Sequence, residues 1–142
     1  MRFWDSSAVV PLCVAEPHSA SIRVLLQRDS AVAVWWATRT ECFSALARRM
    51  REGGLTAAGY RAAQRVLMAL AETWVEVLPS EMVRTTAERL LAVHPLRAAD
   101  AFQLAAALAW CGGAAPSHSV VTLDGRVRDA AGREGFDTAP DE

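Results

Sequence analysis

The sequence predicts an α/β protein in which a short parallel sheet is covered by helices on both faces, an α/β/α sandwich. Short apolar segments rich in valine and tryptophan alternate with longer segments of helical periodicity. The short segments are apolar almost throughout, as in strands that are buried on both faces. With 142 residues, 52% hydrophobic and without repeats or linkers, the chain has the size and composition of one domain over residues 1–142.

The first half of the chain is predicted to hold two strands and four helices. A short apolar and aromatic strand over residues 2–5 ends in an acid, and Ser6 and Ser7 can cap the helix that follows. Pro17 separates this helix from the next. The elements in order are strand 2–5, a helix to about residue 15, a helix over about 22–28, strand 31–36, helix 38–51, and a helix from Thr56 to about residue 70.

The second half is predicted to hold three strands and three helices. Pro79-Ser80 opens one helix, and His94-Pro95 breaks the chain before a strongly helical segment that ends at Gly112-Gly113. The elements in order are strand 74–78, a helix from Pro79-Ser80 to residue 91, helix 96–110, strand 119–123, a short helix to Gly135, and a small edge strand over 136–139.

Composition excludes several classes of protein. All 15 basic residues are arginine, so the lysine of a P-loop and every Schiff-base mechanism are excluded. A net charge of -1 excludes a generally basic nucleic-acid coat but allows a local basic groove. The three cysteines lack CxxC spacing and fit buried thiols in a reducing cytosol. No apolar run approaches the roughly 20 residues of a membrane span, and we expect a cytoplasmic protein.

Four acids are predicted to meet at one edge of the sheet. Asp5 and Asp124 end strands, while Glu41 and Asp100 lie near the starts of helices that follow strands or loops. In an open parallel sheet, the functional site lies at the carboxyl ends of the strands. Four carboxylates in one pocket repel each other unless cations neutralise them, and Mg²⁺ or Mn²⁺ prefers oxygen ligands.

Each acid also has a local interpretation that needs no site. Asp5 can cap the next helix, and Glu41 can complete a capping box that begins at Thr38. Asp100 suits the positive end of a helix, and Asp124 precedes a glycine as in many turns. Four such coincidences at one edge are less probable than a shared function.

Together these motifs resemble PIN-domain ribonucleases, and most closely the VapC-type toxins of bacterial toxin–antitoxin pairs. The similarity covers essentially the whole chain, and it rests on the order and spacing of four segments. These segments are FWDSSA at residues 3–8, RTEC at 39–42, RAADA at 97–101 followed by QLA at 103–105, and TLD at 122–124 followed by AA at 130–131 and GF at 135–136.

The resemblance implies a PIN domain with Mg²⁺- or Mn²⁺-dependent endoribonuclease activity, a homodimer and a small antitoxin partner. The acids that match the catalytic and metal-binding quartet of the family are Asp5, Glu41, Asp100 and Asp124. Ser6 and Thr122 match hydroxyl residues beside the first and last acids, and we expect them to form hydrogen bonds around the metal. We also expect Val9, Val10, Leu12, Val66, Leu67 and Leu70 to supply apolar surface for partners.

Arginines near the acids are candidates for RNA contacts. Arg97 and Arg126 are expected to hold the RNA backbone, although Arg97 could instead form an ion pair with Asp100. The cluster Arg48, Arg49 and Arg51 suits either a solvated helix end or RNA. A PIN-like domain that binds RNA or protein without cleavage remains the alternative, and cleavage of structured DNA is a third possibility.

Overall fold

The computed structural model describes residues 1–141 and contains five strands and seven helices within that range. The strands are β1 (Arg2–Trp4), β2 (Val32–Trp35), β3 (Val75–Val77), β4 (Ser119–Val121) and β5 (Asp137–Ala139). The helices are α1 (Ser6–Cys13), α2 (Ser19–Arg28), α3 (Thr38–Arg51), α4 (Ala57–Ala71), α5 (Glu81–Val93), α6 (Ala98–Trp110) and α7 (Gly125–Arg133). Every strand and helix predicted from the sequence is present, with shifts of a few residues at some ends.

The five strands form one parallel sheet in the order β3-β2-β1-β4-β5. The first strand of the chain therefore lies in the centre, between β2 and β4. The chain passes from β1 through β2 to β3 on one side and then crosses back to β4 and β5 on the other side, and the crevice at such a switch point opens at the carboxyl ends of the strands. The predicted fold class, an α/β/α sandwich with a short parallel sheet, is confirmed.

Alternating side chains of the strands pack against the two helical layers. In β1, Phe3 belongs to the core formed with α5, α6 and α7, whereas Trp4 belongs to the core formed with α1 to α4. In β4, Val120 and Val121 divide in the same way. The sheet is thus buried on both faces, which explains its continuous apolar strands.

Helix α6 starts two residues later than the sequence predicted. Leu96 donates its backbone N–H to the carbonyl of His94, and Arg97 has extended backbone angles (φ -83°, ψ 165°). The turn after Pro95 therefore precedes the helix. Among residues 1–141, no helix is long and apolar enough to cross a membrane.

Candidate active site

The four acids predicted from the sequence all lie at the carboxyl edge of the sheet, where neighbouring acids influence each other in pairs. Asp5 follows β1, Glu41 lies in the first turn of α3, Asp100 lies in the first turn of α6, and Asp124 precedes α7. The charge of Asp124 acts on Asp5, and the charges of Asp5 and Asp100 act on Glu41. A groove of about 440 Å³ gives solvent access to Glu41 and Asp100.

Asp5 is held by hydroxyl groups from two segments. Its Oδ2 atom accepts hydrogen bonds from Ser7 Oγ (2.6 Å) and Thr122 Oγ1 (2.8 Å). The Leu123 backbone N–H donates to Ser7 Oγ (2.9 Å), so α1 is tied to the end of β4 beside the acid. Asp5 is only 4% exposed, and these bonds fix the position of its carboxyl group.

Glu41 is held from α1 and α6. Its Oε2 atom accepts hydrogen bonds from Ser6 Oγ (2.8 Å) and Gln103 Nε2 (2.9 Å). The Gln103 amide also donates to Thr38 Oγ1 (3.0 Å), and Thr38 and Gln103 are buried. Ser6 Oγ lies 3.4 Å from Asp5 Oδ1 and therefore bridges the two acids.

The capping-box interpretation of Thr38 and Glu41 is wrong. Thr38 is already helical, the residue before the helix is Ala37, and the Glu41 side chain bonds to Ser6 and Gln103 rather than to the backbone. Ser7, Thr38 and Gln103 complete the network around the acids, and sequence reasoning gave none of them a role in the site. The sequence signal that could have identified Ser7 is its position two residues after Asp5, the acid at the end of the first strand.

Burial raises the pKa of both Asp5 and Glu41. For Asp5, hydrogen bonds from Ser7 and Thr122 partly oppose this shift, and the nearby Asp124 carboxylate adds to it. For Glu41, bonds from Gln103 and Ser6 oppose the shift, and the charges of Asp5 and Asp100 add to it. The ion pairs found within residues 1–141 include none of the four acids, so no basic side chain neutralises the cluster.

Asp100 and Asp124 bond to backbone N–H groups at the starts of their own helices, Asp124 as the N-cap of α7. Asp100 Oδ2 accepts the backbone N–H of Arg97 (3.0 Å). Asp124 Oδ1 accepts the N–H groups of Arg126 (2.8 Å) and Val127 (3.1 Å). The alternative role of Arg97, an ion pair with Asp100, is not found among residues 1–141, where the backbone N–H of Arg97, not its guanidinium group, contacts the acid.

The donor atoms suit a hard divalent cation. They are carboxylate and hydroxyl oxygens, which Mg²⁺ and Mn²⁺ prefer, and the acids have no basic counter-ion. No three histidine, cysteine, aspartate or glutamate side chains in residues 1–141 are arranged to hold one ion together. Asp100 and Asp124 each direct one oxygen to backbone N–H groups, so metal binding requires their carboxylates to present the other oxygen.

Solved structures share this architecture. VapC20 from Mycobacterium tuberculosis, a sarcin–ricin loop cleaving toxin, matches with a TM-score of 0.69 at 18% identity, covering 92% of this chain and 95% of its own. FitAcB from Neisseria gonorrhoeae matches with a TM-score of 0.67 at 17% identity over 99% and 97% of the chains. PAE2754 from Pyrobaculum aerophilum matches with a TM-score of 0.64 at 20% identity over 96% and 87%.

Comparison of the sequence alone finds no similar protein: no family model matches the chain, and no curated protein matches it. The structural likeness nevertheless spans nearly the whole chain, and the order of strands and helices places the acids at the edge that the sequence predicted. The chain has a VapC-type PIN fold.

Proposed function

We propose, from the premise of this fold, that the protein is a Mg²⁺- or Mn²⁺-dependent endoribonuclease. The observation that carries the proposal is the placement of Asp5, Glu41, Asp100 and Asp124 at one edge of the sheet without a basic counter-ion. Asp5 is buried, Glu41 is half-buried, and both have raised pKa values, so their ionised forms are costly in the absence of a cation.

The proposed roles of the side chains follow from their contacts. All four acids would hold the metal, and Ser6 and Thr122 would keep the Asp5 and Glu41 carboxylates in place. A bound divalent metal supplies Lewis-acid chemistry that activates water and stabilises the charge of a phosphodiester. Arg97, which lines the groove, and the exposed Arg126 would hold the RNA backbone.

A non-catalytic RNA-binding domain is the second candidate. Its support is the engagement of Asp100 and Asp124 as helix caps, because a cap needs no metal. Under this alternative, the acids stabilise the fold and the arginines bind RNA without cleavage.

Cleavage of total RNA by the purified protein separates the two candidates. The protein is incubated with total RNA in Mg²⁺, in Mn²⁺ or in a chelator, and new RNA ends are mapped. A nuclease produces discrete ends that require the metal and disappear in Asp5→Asn. RNA that is bound but remains intact under all conditions would support the non-catalytic domain.

The same proposal includes a toxin role in the cytoplasm, with a small antitoxin as partner and a homodimer as the assembly. Val9, Val10 and Leu67 are 1%, 6% and 0% exposed, which contradicts the expectation that they supply partner surface. Val66 and Met68 of α4 are 41% and 40% exposed and remain accessible.

Expression of the wild type alone should arrest growth, whereas expression of Asp5→Asn should be harmless. Light scattering of the purified protein should give the mass of a dimer.

A further inference from the structure

Helix α3 carries a basic side chain on the same face as the acid Glu41. Arg48 follows Glu41 by seven residues, which is nearly two helical turns and about 10 Å along the axis. Glu41 and Arg48 both line the groove, and the lining residues between them are the small Ser44 and Ala45. The groove therefore extends from the acids to Arg48, and only small side chains lie between them along α3.

Arg48 differs from the arginine beside it. Arg49 forms an ion pair with Glu16 and so has a structural partner. In contrast, the ion pairs and side-chain hydrogen bonds of residues 1–141 include none from the Arg48 guanidinium group, which borders the groove. The position of Arg48 thus leaves all its donors available to a ligand in the groove.

We propose that Arg48 binds a phosphodiester of the RNA strand next to the cleaved linkage, so that the strand lies along α3. This inference rests on the proposed RNA substrate and identifies a separate subsite for it. The planar guanidinium group matches two phosphate oxygens at once, and the 10 Å spacing separates this contact from the acids. An anion at Arg48 also lies away from the carboxylates that would repel it.

RNA binding can be measured without cleavage in the Asp5→Asn background. The probe is a fluorescent single-stranded RNA of 12 nucleotides with mixed sequence, titrated in chelator at several salt concentrations. Arg48→Gln should weaken binding roughly tenfold, since a charge-assisted hydrogen bond is lost. It should also reduce the slope of log affinity against log salt by about 0.7, the value for one phosphate of a single strand.

Arg39→Gln is the matched control. Arg39 is an exposed arginine of the same helix, two residues before Glu41, and it does not border the groove. This variant removes the same charge and should retain the wild-type affinity and salt slope. Equal losses in Arg48→Gln and Arg39→Gln would overturn the subsite and indicate a general charge effect.

Substrates with one uncharged methylphosphonate linkage locate the contact. Moved along the RNA, this linkage should weaken binding to the parent protein at each phosphate that an arginine contacts, and one of these positions should no longer matter in Arg48→Gln. Failure of every variant to bind the RNA, or the same set of sensitive positions in Arg48→Gln as in the parent, would overturn the proposal. Cleavage of total RNA is decided separately, because these measurements need neither metal nor turnover.

Discussion

The two halves of the acid cluster are held in different ways. Asp5 and Glu41 are fixed by side-chain donors, which include Thr122 and Gln103 from distant parts of the chain, and burial raises their pKa values. Asp100 and Asp124 are fixed by backbone N–H groups within three residues of themselves. All four acids lie at helix N-termini, but only Asp100 and Asp124 bond to the backbone of their own helices, whereas burial makes the charges of Asp5 and Glu41 costly unless a cation binds.

The largest expected effect is the loss of cleavage on substitution of Asp5, the buried acid. Asp5→Asn should reduce the rate at least about a hundredfold, because several kcal/mol of charge stabilisation depend on the metal. The same substitution should raise the melting temperature of the metal-free protein, since one carboxylate no longer has to be ionised in a buried position. Cleavage assays and thermal unfolding in chelator measure the two effects.

The opposite shifts in activity and stability exclude a general folding defect as the cause of lost cleavage. A variant that cuts RNA at the wild-type rate would remove Asp5 from the active site.

Metal binding should stabilise the folded protein by a smaller amount. An ion that binds only the folded state adds about 2.7 kcal/mol at 100 times its dissociation constant. Millimolar Mn²⁺ or Mg²⁺ should therefore raise the melting temperature, and Asp5→Asn should blunt the rise. A melting temperature that stays constant throughout the titration would contradict a carboxylate metal site.

Two substitutions of Asp124 separate its role as a helix cap from its proposed role in metal binding. Asp124→Ala should lower the free energy of unfolding by about 1 kcal/mol, because α7 loses its cap. Asp124→Asn should keep the cap and change stability little, since asparagine is an equally good cap. Urea unfolding measures both variants, and the Mn²⁺ titration then shows whether the asparagine variant has lost metal affinity.

The smallest effect concerns pH. The raised pKa of Asp5 means that the folded protein keeps a proton that the unfolded chain has released, so this group makes stability fall as pH rises from about 4. Glu134 has the opposite effect, because bonds from Arg89 and His94 lower its pKa. Urea unfolding from pH 4 to 7 in chelator should show a less negative slope in Asp5→Asn than in the wild type.

The fold was predictable because its signals are local and repeated. Apolar strands bounded by turns, caps such as Thr56 and Ser80, and glycines after helices each act over a few residues. The site was predictable only as a set of acids at one edge. The start of α6 was misplaced because the turn that joins Leu96 to His94 leaves no clear signal in the apolar pattern.

The contacts within the site depend on residues far apart in the sequence. Thr38 and Glu41 have the spacing of a capping box, in which Glu41 would bond to the backbone. The Glu41 carboxylate instead accepts a hydrogen bond from Gln103, 62 residues further along the chain. A single sequence does not indicate which buried glutamine faces which acid. For Asp124 the local interpretation was sufficient, because its partners are the next residues of the chain.

The central position of β1 determines when the site can assemble during translation. Its neighbour β2 follows early in the chain and pairs with one side of β1, whereas its other neighbour, β4, begins at Ser119, 115 residues after Trp4. At 5–20 residues per second, synthesis of that intervening chain takes on the order of ten seconds. Throughout this interval Asp5 lacks its Thr122 donor, so the nascent chain has an incomplete acid site until β4 leaves the ribosome.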